Sequence, residues 1–213
     1  MPGPAKPAFY PSAKEAKRAE KYRNTISGPV IMWALDGSAV HKHWPFTHNA
    51  MARILLETDY HIVTVGNAVS VFLEGGWEDE PRVVRTSDKW SIRKTLSFLP
   101  HCDMVIGPET GVLNAAGALD MPKIVFLSHS SATNFSLDYN NMHTLAPAPE
   151  DCPCYPCHKM IYGWESCVRD DTGALCQTQI SLDAFWETFL RVSENREIKK
   201  ETGHGLHRNR KKV

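Results

Sequence analysis

Three groups of side chains in this chain have types and spacings suited to chemistry. The first lies in residues 36–44 (DGSAVHKHW), directly after the apolar run VIMWAL. Gly37, Ser38 and Lys42 can hold a diphosphate there. The Lys ammonium meets phosphate charge, and the Ser hydroxyl and backbone N–H groups add donors. His41 and His43 flank Lys42 and can line the same site. A solvated loop with an exposed Lys is the plain alternative; what favours a ligand is the loop's place at the carboxyl edge of a strand.

The second group is Glu109, Thr110, Gly111 and Asn114, in the segment GPETGVLN. A sugar or ribose hydroxyl accepted by Glu109 and a phosphate held by Thr110 would use the turn's polar groups. A carboxylate beside a helix N-terminus also stabilises the helix unaided. That explains Glu109, but not the bracketing of the turn by Pro108 and Gly111. The segment matches neither GxGxxG nor the phosphate loop of P-loop NTPases, which disfavours a dehydrogenase or such an NTPase. A nucleotide-dependent hydrolase lacks a nucleophile motif here.

The third group is cysteine. Five of the six cysteines fall between Cys152 and Cys176, as CxCxxC followed by Cys167 and Cys176. Cys154, Cys157, Cys167 and Cys176 have the number and type for a tetrahedral zinc, and an iron–sulfur cluster takes the same thiolates. Buried or paired thiols stapling a loop-rich segment account for them slightly better than a metal does, although a reducing compartment disfavours disulfides. Catalysis by these thiols is the least supported reading.

The elements that must position these groups alternate. A Pro-rich arm leads to Ser12, whose spacing to Glu15 forms a capping box and predicts a helix over 13–23. Strands are expected at 30–35, 59–66, 82–85, 103–106, 123–127 and 141–145. Helices are expected at 46–57, with Pro45 at the first helical position, and at 69–73, 91–99 and 112–119. Such alternation predicts an α/β domain, a doubly wound and mostly parallel Rossmann-like sheet with helices on both faces. The Gly-rich turn 107–111 then sits at the carboxyl end of a strand and before a helix N-terminus, where anions bind. The expected organisation is an arm and lead-in helix over 1–28 and a nucleotide-sugar-binding domain over 29–148. A Cys-rich segment with a closing helix, 182–192, then occupies 149–193, and a basic, unstructured tail 194–213.

Composition bounds the function. The 213 residues carry 24 basic and 24 acidic side chains, a formal net charge of zero. No global bias toward nucleic acid or anionic membranes results. No apolar run approaches the roughly 20 residues of a membrane span. The N-terminal stretch has no apolar core of the kind a signal peptide needs, so a cytoplasmic location is the expectation.

The motif order resembles the C-terminal half of glycosyltransferase family 9, the ADP-heptose:lipopolysaccharide heptosyltransferases and their relatives. Four pieces carry the resemblance: FYPSAKEAKRAE, GSAVHKHWP, CDMVIGPETGVLNAAGALDMPKIVFL, and CPCYPCHKMIYGWESC with CQTQISLDAF. The third is the most specific, and together they span roughly residues 8–192. The resemblance implies one half of a GT-B fold that binds a nucleotide-diphosphate sugar, ADP-heptose-like. It implies inverting transfer without an essential metal cofactor. Ser38 and Lys42 would contact the diphosphate, with Lys42 in the catalytic role, and Glu109, Thr110 and Gly111 the donor sugar and phosphates. The family more often has Asp at position 109, and His at position 114 where Asn stands here. The acceptor domain and its general-base Asp have no counterpart in this sequence. A glycan or lipid-linked acceptor would therefore come through a separate N-terminal half or partner. The competing reading is a non-catalytic Rossmann-like scaffold whose Cys-rich module binds a metal or a partner.

Overall fold

The computed structural model describes residues 8–159 and 167–206, with side chains as far as residue 194. Six strands form one sheet: β1 (Val30–Ala34), β2 (His61–Val65), β3 (Val83–Arg85), β4 (Met104–Pro108), β5 (Lys123–Phe126) and β6 (Met142–Leu145). Every pairing is parallel, and the spatial order is β3-β2-β1-β4-β5-β6. The order reverses between β1 and β4, where chain connections leave on opposite sides and a crevice opens beyond the carboxyl ends.

β1 is buried at all five positions, as its unbroken apolar run requires of a strand covered on both faces. Alternate residues feed two cores. Ile31 and Trp33 join Met51, Ile54, Phe126, Phe185 and Phe189 on one side. Val30, Met32 and Ala34 join Val63, Phe98, Val105, Leu113 and Val125 on the other. The first core lies under α2 (Thr47–Glu57) and α8 (Leu182–Leu206). The second lies under α1 (Ala13–Arg23), α4 (Ile92–Phe98) and α5 (Gly111–Gly117). α3 (Ala68–Leu73) follows β2.

Local chemistry starts these helices where the sequence places them. Ser12 and Glu15 cap α1 reciprocally, Ser91 caps α4 and Asn67 caps α3. At the opposite edge of the sheet from that crevice, Asp103 accepts the Val30 amide at 2.8 Å. Arg23 lies 3.7 Å from that carboxylate and donates to the carbonyls of His101, Ile26 and Gly28. The amino ends of β1 and β4 are thus pinned together.

Three features depart from the sequence expectation. Pro45 lies before the N-cap of α2, Phe46, rather than at the first helical position. Two short helices, α6 (Ala132–Ser136) and α7 (Leu175–Thr178), stand where none is expected; at five and four residues they are too brief to show a helical period. α8 continues to Leu206 instead of ending at Val192. The Glu, Arg and Lys residues of the expected tail are strong helix formers, and no Gly or Pro interrupts them before Gly203. The arm residues 1–7, the tail end 207–213 and residues 160–166 of the Cys-rich segment lie outside the described residues.

Trp44 joins the loop after β1 to the core. Its indole stacks on Phe126 with ring centroids 4.3 Å apart, and its N–H donates to the Ile180 carbonyl at 2.8 Å. Removing that ring by Trp44→Ala leaves a large void and an unpaired carbonyl. Urea unfolding should record a loss of about 3–5 kcal/mol.

Candidate functional site

The crevice at the strand-order reversal holds a cavity of about 370 Å³. Gly37, Ser38 and Lys42 line it from the loop after β1, and Glu109, Thr110, Gly111 and Asn114 from the turn after β4. All seven donor-site residues expected from the sequence therefore share one cleft. Parallel strands explain the meeting: β1 and β4 are hydrogen-bonded neighbours, so the loops at their carboxyl ends emerge side by side.

Close packing shapes this cleft. A side chain on Gly37 would meet Cδ of Lys42 at 2.4 Å, so glycine lets the lysine stem lie back across its own loop. Lys42 ends a short 3-10 turn, Val40–Lys42. Burial pushes its ammonium below the ordinary Lys value, opposed by the charge of Glu109. A Cβ on Gly107 would sit 2.7 Å from the Ala34 carbonyl, so only glycine lets β4 run this close to β1. Thr110 caps α5, its hydroxyl accepting from the Leu113 amide.

Glu109 behaves differently from its expected sugar contact. Its side chain is almost wholly buried, 3% exposed. One carboxylate oxygen accepts from the Ser128 amide at 2.9 Å, the His129 amide at 3.2 Å and the Ser128 hydroxyl; the other accepts from the Ser130 amide at 3.0 Å. The His129 ring nitrogen Nδ1 also lies 3.0 Å away. Glu109 thus anchors the loop after β5, and most of its accepting capacity is spent inside the chain. Burial opposes its ionisation, but the Ser128 hydroxyl, His129 and the backbone donors together hold the carboxyl below the usual range.

Two polar residues of the cleft escape the sequence reading. Asp36 is buried and accepts from the Ser70 hydroxyl. Burial raises its carboxyl above the usual value, opposed by Ser70 and His43. Asn67 lines the same wall after β2. Each lies two residues past the carboxyl end of a strand, a position that marks it as a site candidate once the parallel order is known.

The expected cysteine set lies next door, not in the cleft. Cys154, Cys157, Cys167 and Cys176 line a separate small cavity of about 40 Å³ with His41 and Ser128. All six cysteines are unpaired. Cys152 is buried, with its sulfur 3.6 Å from that of Cys154. Among the described residues no three His, Cys, Asp or Glu side chains are grouped so that they could hold a metal ion as they stand. His41, expected beside the phosphate site, instead faces these thiols. Burial, with His129 and Lys42 nearby, pushes its imidazole down to about 4 against the pull of Glu109.

The fold has counterparts among solved structures. The chain matches E. coli ADP-heptose LPS heptosyltransferase II over 70% of its length and 48% of that chain, with TM-score 0.56 and 18% identity. A glycosyl transferase family 9 structure from Veillonella parvula DSM 2008 matches 90% of this chain and 53% of its own, with TM-score 0.62 and 13% identity. E. coli heptosyltransferase WaaC with ADP matches 89% and 52%, with TM-score 0.56 and 17% identity. The chain shares its fold with heptosyltransferases. It spans about half the length of the structures it matches. No protein-family profile and no curated protein matches it. Among the described residues, no helix is long and apolar enough to cross a membrane.

The Glu109 network makes a signed prediction. A carboxyl depressed in the folded state contributes stability above its unfolded value and loses it as pH falls through the folded value. The wild-type chain should therefore lose stability on acidification below about pH 4. Glu109→Gln should be about 1.5–3 kcal/mol less stable at neutral pH and show a flatter acid limb. Denaturant midpoints measured across pH check both.

Proposed function

We propose that this chain is the donor-binding half of a glycosyltransferase that takes a nucleotide-diphosphate sugar, ADP-heptose-like. One observation carries the reading: the seven residues assigned from two distant motifs line one cleft at the reversal of a parallel sheet. The likeness in fold to heptosyltransferases, one of them named as a complex with ADP, supports the same assignment.

In this reading the diphosphate lies along the 37–42 loop. Lys42 meets its charge, and Ser38 and Thr110 donate to its oxygens. Transfer breaks the bond between the anomeric carbon and the diphosphate oxygen as an acceptor oxygen attacks from the opposite face. Negative charge grows on the leaving diphosphate, and Lys42 stabilises it there more than in the bound donor. The acceptor, a glycan or lipid-linked sugar, and the base that takes its proton belong to the other half of such an enzyme. Glu109 supports the cleft from below, and Asn114 and Asp36 are placed for hydroxyl contacts.

A second reading, a non-catalytic Rossmann-like binding protein, draws on the thiol-lined cavity, which is built apart from the cleft. Nucleotide affinity separates the two. Thermal-shift and calorimetric titration with ADP, UDP, GDP and their sugar conjugates should find one nucleotide that binds and stabilises the fold. Lys42→Ala and Thr110→Ala should each weaken that binding about 10–100-fold, the equivalent of losing a charge-assisted hydrogen bond. Gly37→Val, which displaces the Lys42 stem, should weaken it as well. Binding indifferent to all three substitutions would refute the site, and no binding by the folded chain would favour the second reading.

A further inference from the structure

His41 is the least satisfied polar side chain in the described structure. It is 4% exposed, and neither ring nitrogen has a hydrogen-bond partner. Burying an imidazole without partners is costly, so its surroundings should explain it. On one side the His129 ring packs edge-on with its centroid 5.1 Å away; on the other His41 faces a cavity lined by Cys154, Cys157, Cys167 and Cys176, with Lys159 and Ser128 at its wall. At about 40 Å³ the cavity is far too small for a nucleotide or sugar, but it exceeds the roughly 10–15 Å³ that a single water needs.

We infer that this cavity is a structural site for a zinc-class divalent ion, with His41 as its nitrogen ligand and Cys154, Cys157 and Cys176 as its thiolates. Each chosen ligand has a reason. Cys154 and Cys157 have the two-residue separation that lets both sulfurs reach one ion. Cys176 lies on α7, which packs against the 3-10 turn carrying His41. Cys167 is the spare thiol, with its S–H directed to the Val168 carbonyl. The sulfurs ring the void rather than meeting at a point, so the ion must draw them inward. Cys154 and Cys157 sit in a stretch without helix or strand, where such a shift disturbs no regular element. Each ligating thiol gives its proton to solvent as the metal–sulfur bond forms. Soft sulfur with one imidazole favours zinc over magnesium or calcium.

The site stands independently of the donor cleft, and its test uses no nucleotide. The full chain, purified anaerobically under reducing conditions, should carry one equivalent of zinc in metal analysis. X-ray absorption of that wild-type protein should resolve three sulfur ligands and one nitrogen. Replacement by Co²⁺ should give tetrahedral ligand-field bands with thiolate charge transfer. His41→Ala should shift those bands or lose the ion, whereas Cys167→Ser should leave them unchanged. A four-sulfur shell, or bands lost in Cys167→Ser and unmoved in His41→Ala, would overturn the role of His41. Iron with inorganic sulfide, or a folded chain that takes up no Zn²⁺ or Co²⁺, would overturn the site.

Discussion

The carboxylate of Glu109 is the constraint on which the site depends. It is buried at the end of β4 and gathers the backbone of the loop after β5 through the amides of Ser128, His129 and Ser130. A buried carboxylate is tolerable only when donors saturate it, and here the donors come from a segment that would otherwise leave its N–H groups unmet. The exchange satisfies both partners. It fixes the floor of the large cleft and, through Ser128, one wall of the thiol-lined cavity.

Around that anchor the sheet imposes the rest. β1 bonds to a strand on each side and is covered on each face, so its end is among the most constrained points in the chain. Loops growing from it inherit a fixed origin. Where Gly107 brings β4 against the Ala34 carbonyl, two loops are forced to share the space beyond. A cleft in this position follows from strand order and tight packing before any functional residue is chosen. The residues found there, a lysine, hydroxyls, an amide and a carboxylate, then decide what kind of ligand the space suits.

Much of this was legible in the sequence because the decisive signals are local. The run VIMWAL reads as a strand buried on both faces, and the capping box at Ser12 and Glu15 starts its helix as expected. Gly37, Lys42 and Thr110 each follow a strand, so the alternation of elements was enough to bring them together. What escaped is long-range. Nothing around Glu109 announces that its oxygens are taken by residues 128–130. Nothing around His41 announces a wall of sulfur more than a hundred residues away. The short helices α6 and α7 carry too few turns to leave a period, and the end of α8 follows helix-forming residues that also read as a polar tail.

His41 and Lys42 are consecutive residues of a single 3-10 turn, yet they face different cavities. Both side chains hang from one short stretch of backbone, so a substitution that shifts the turn displaces the lining of both cavities together.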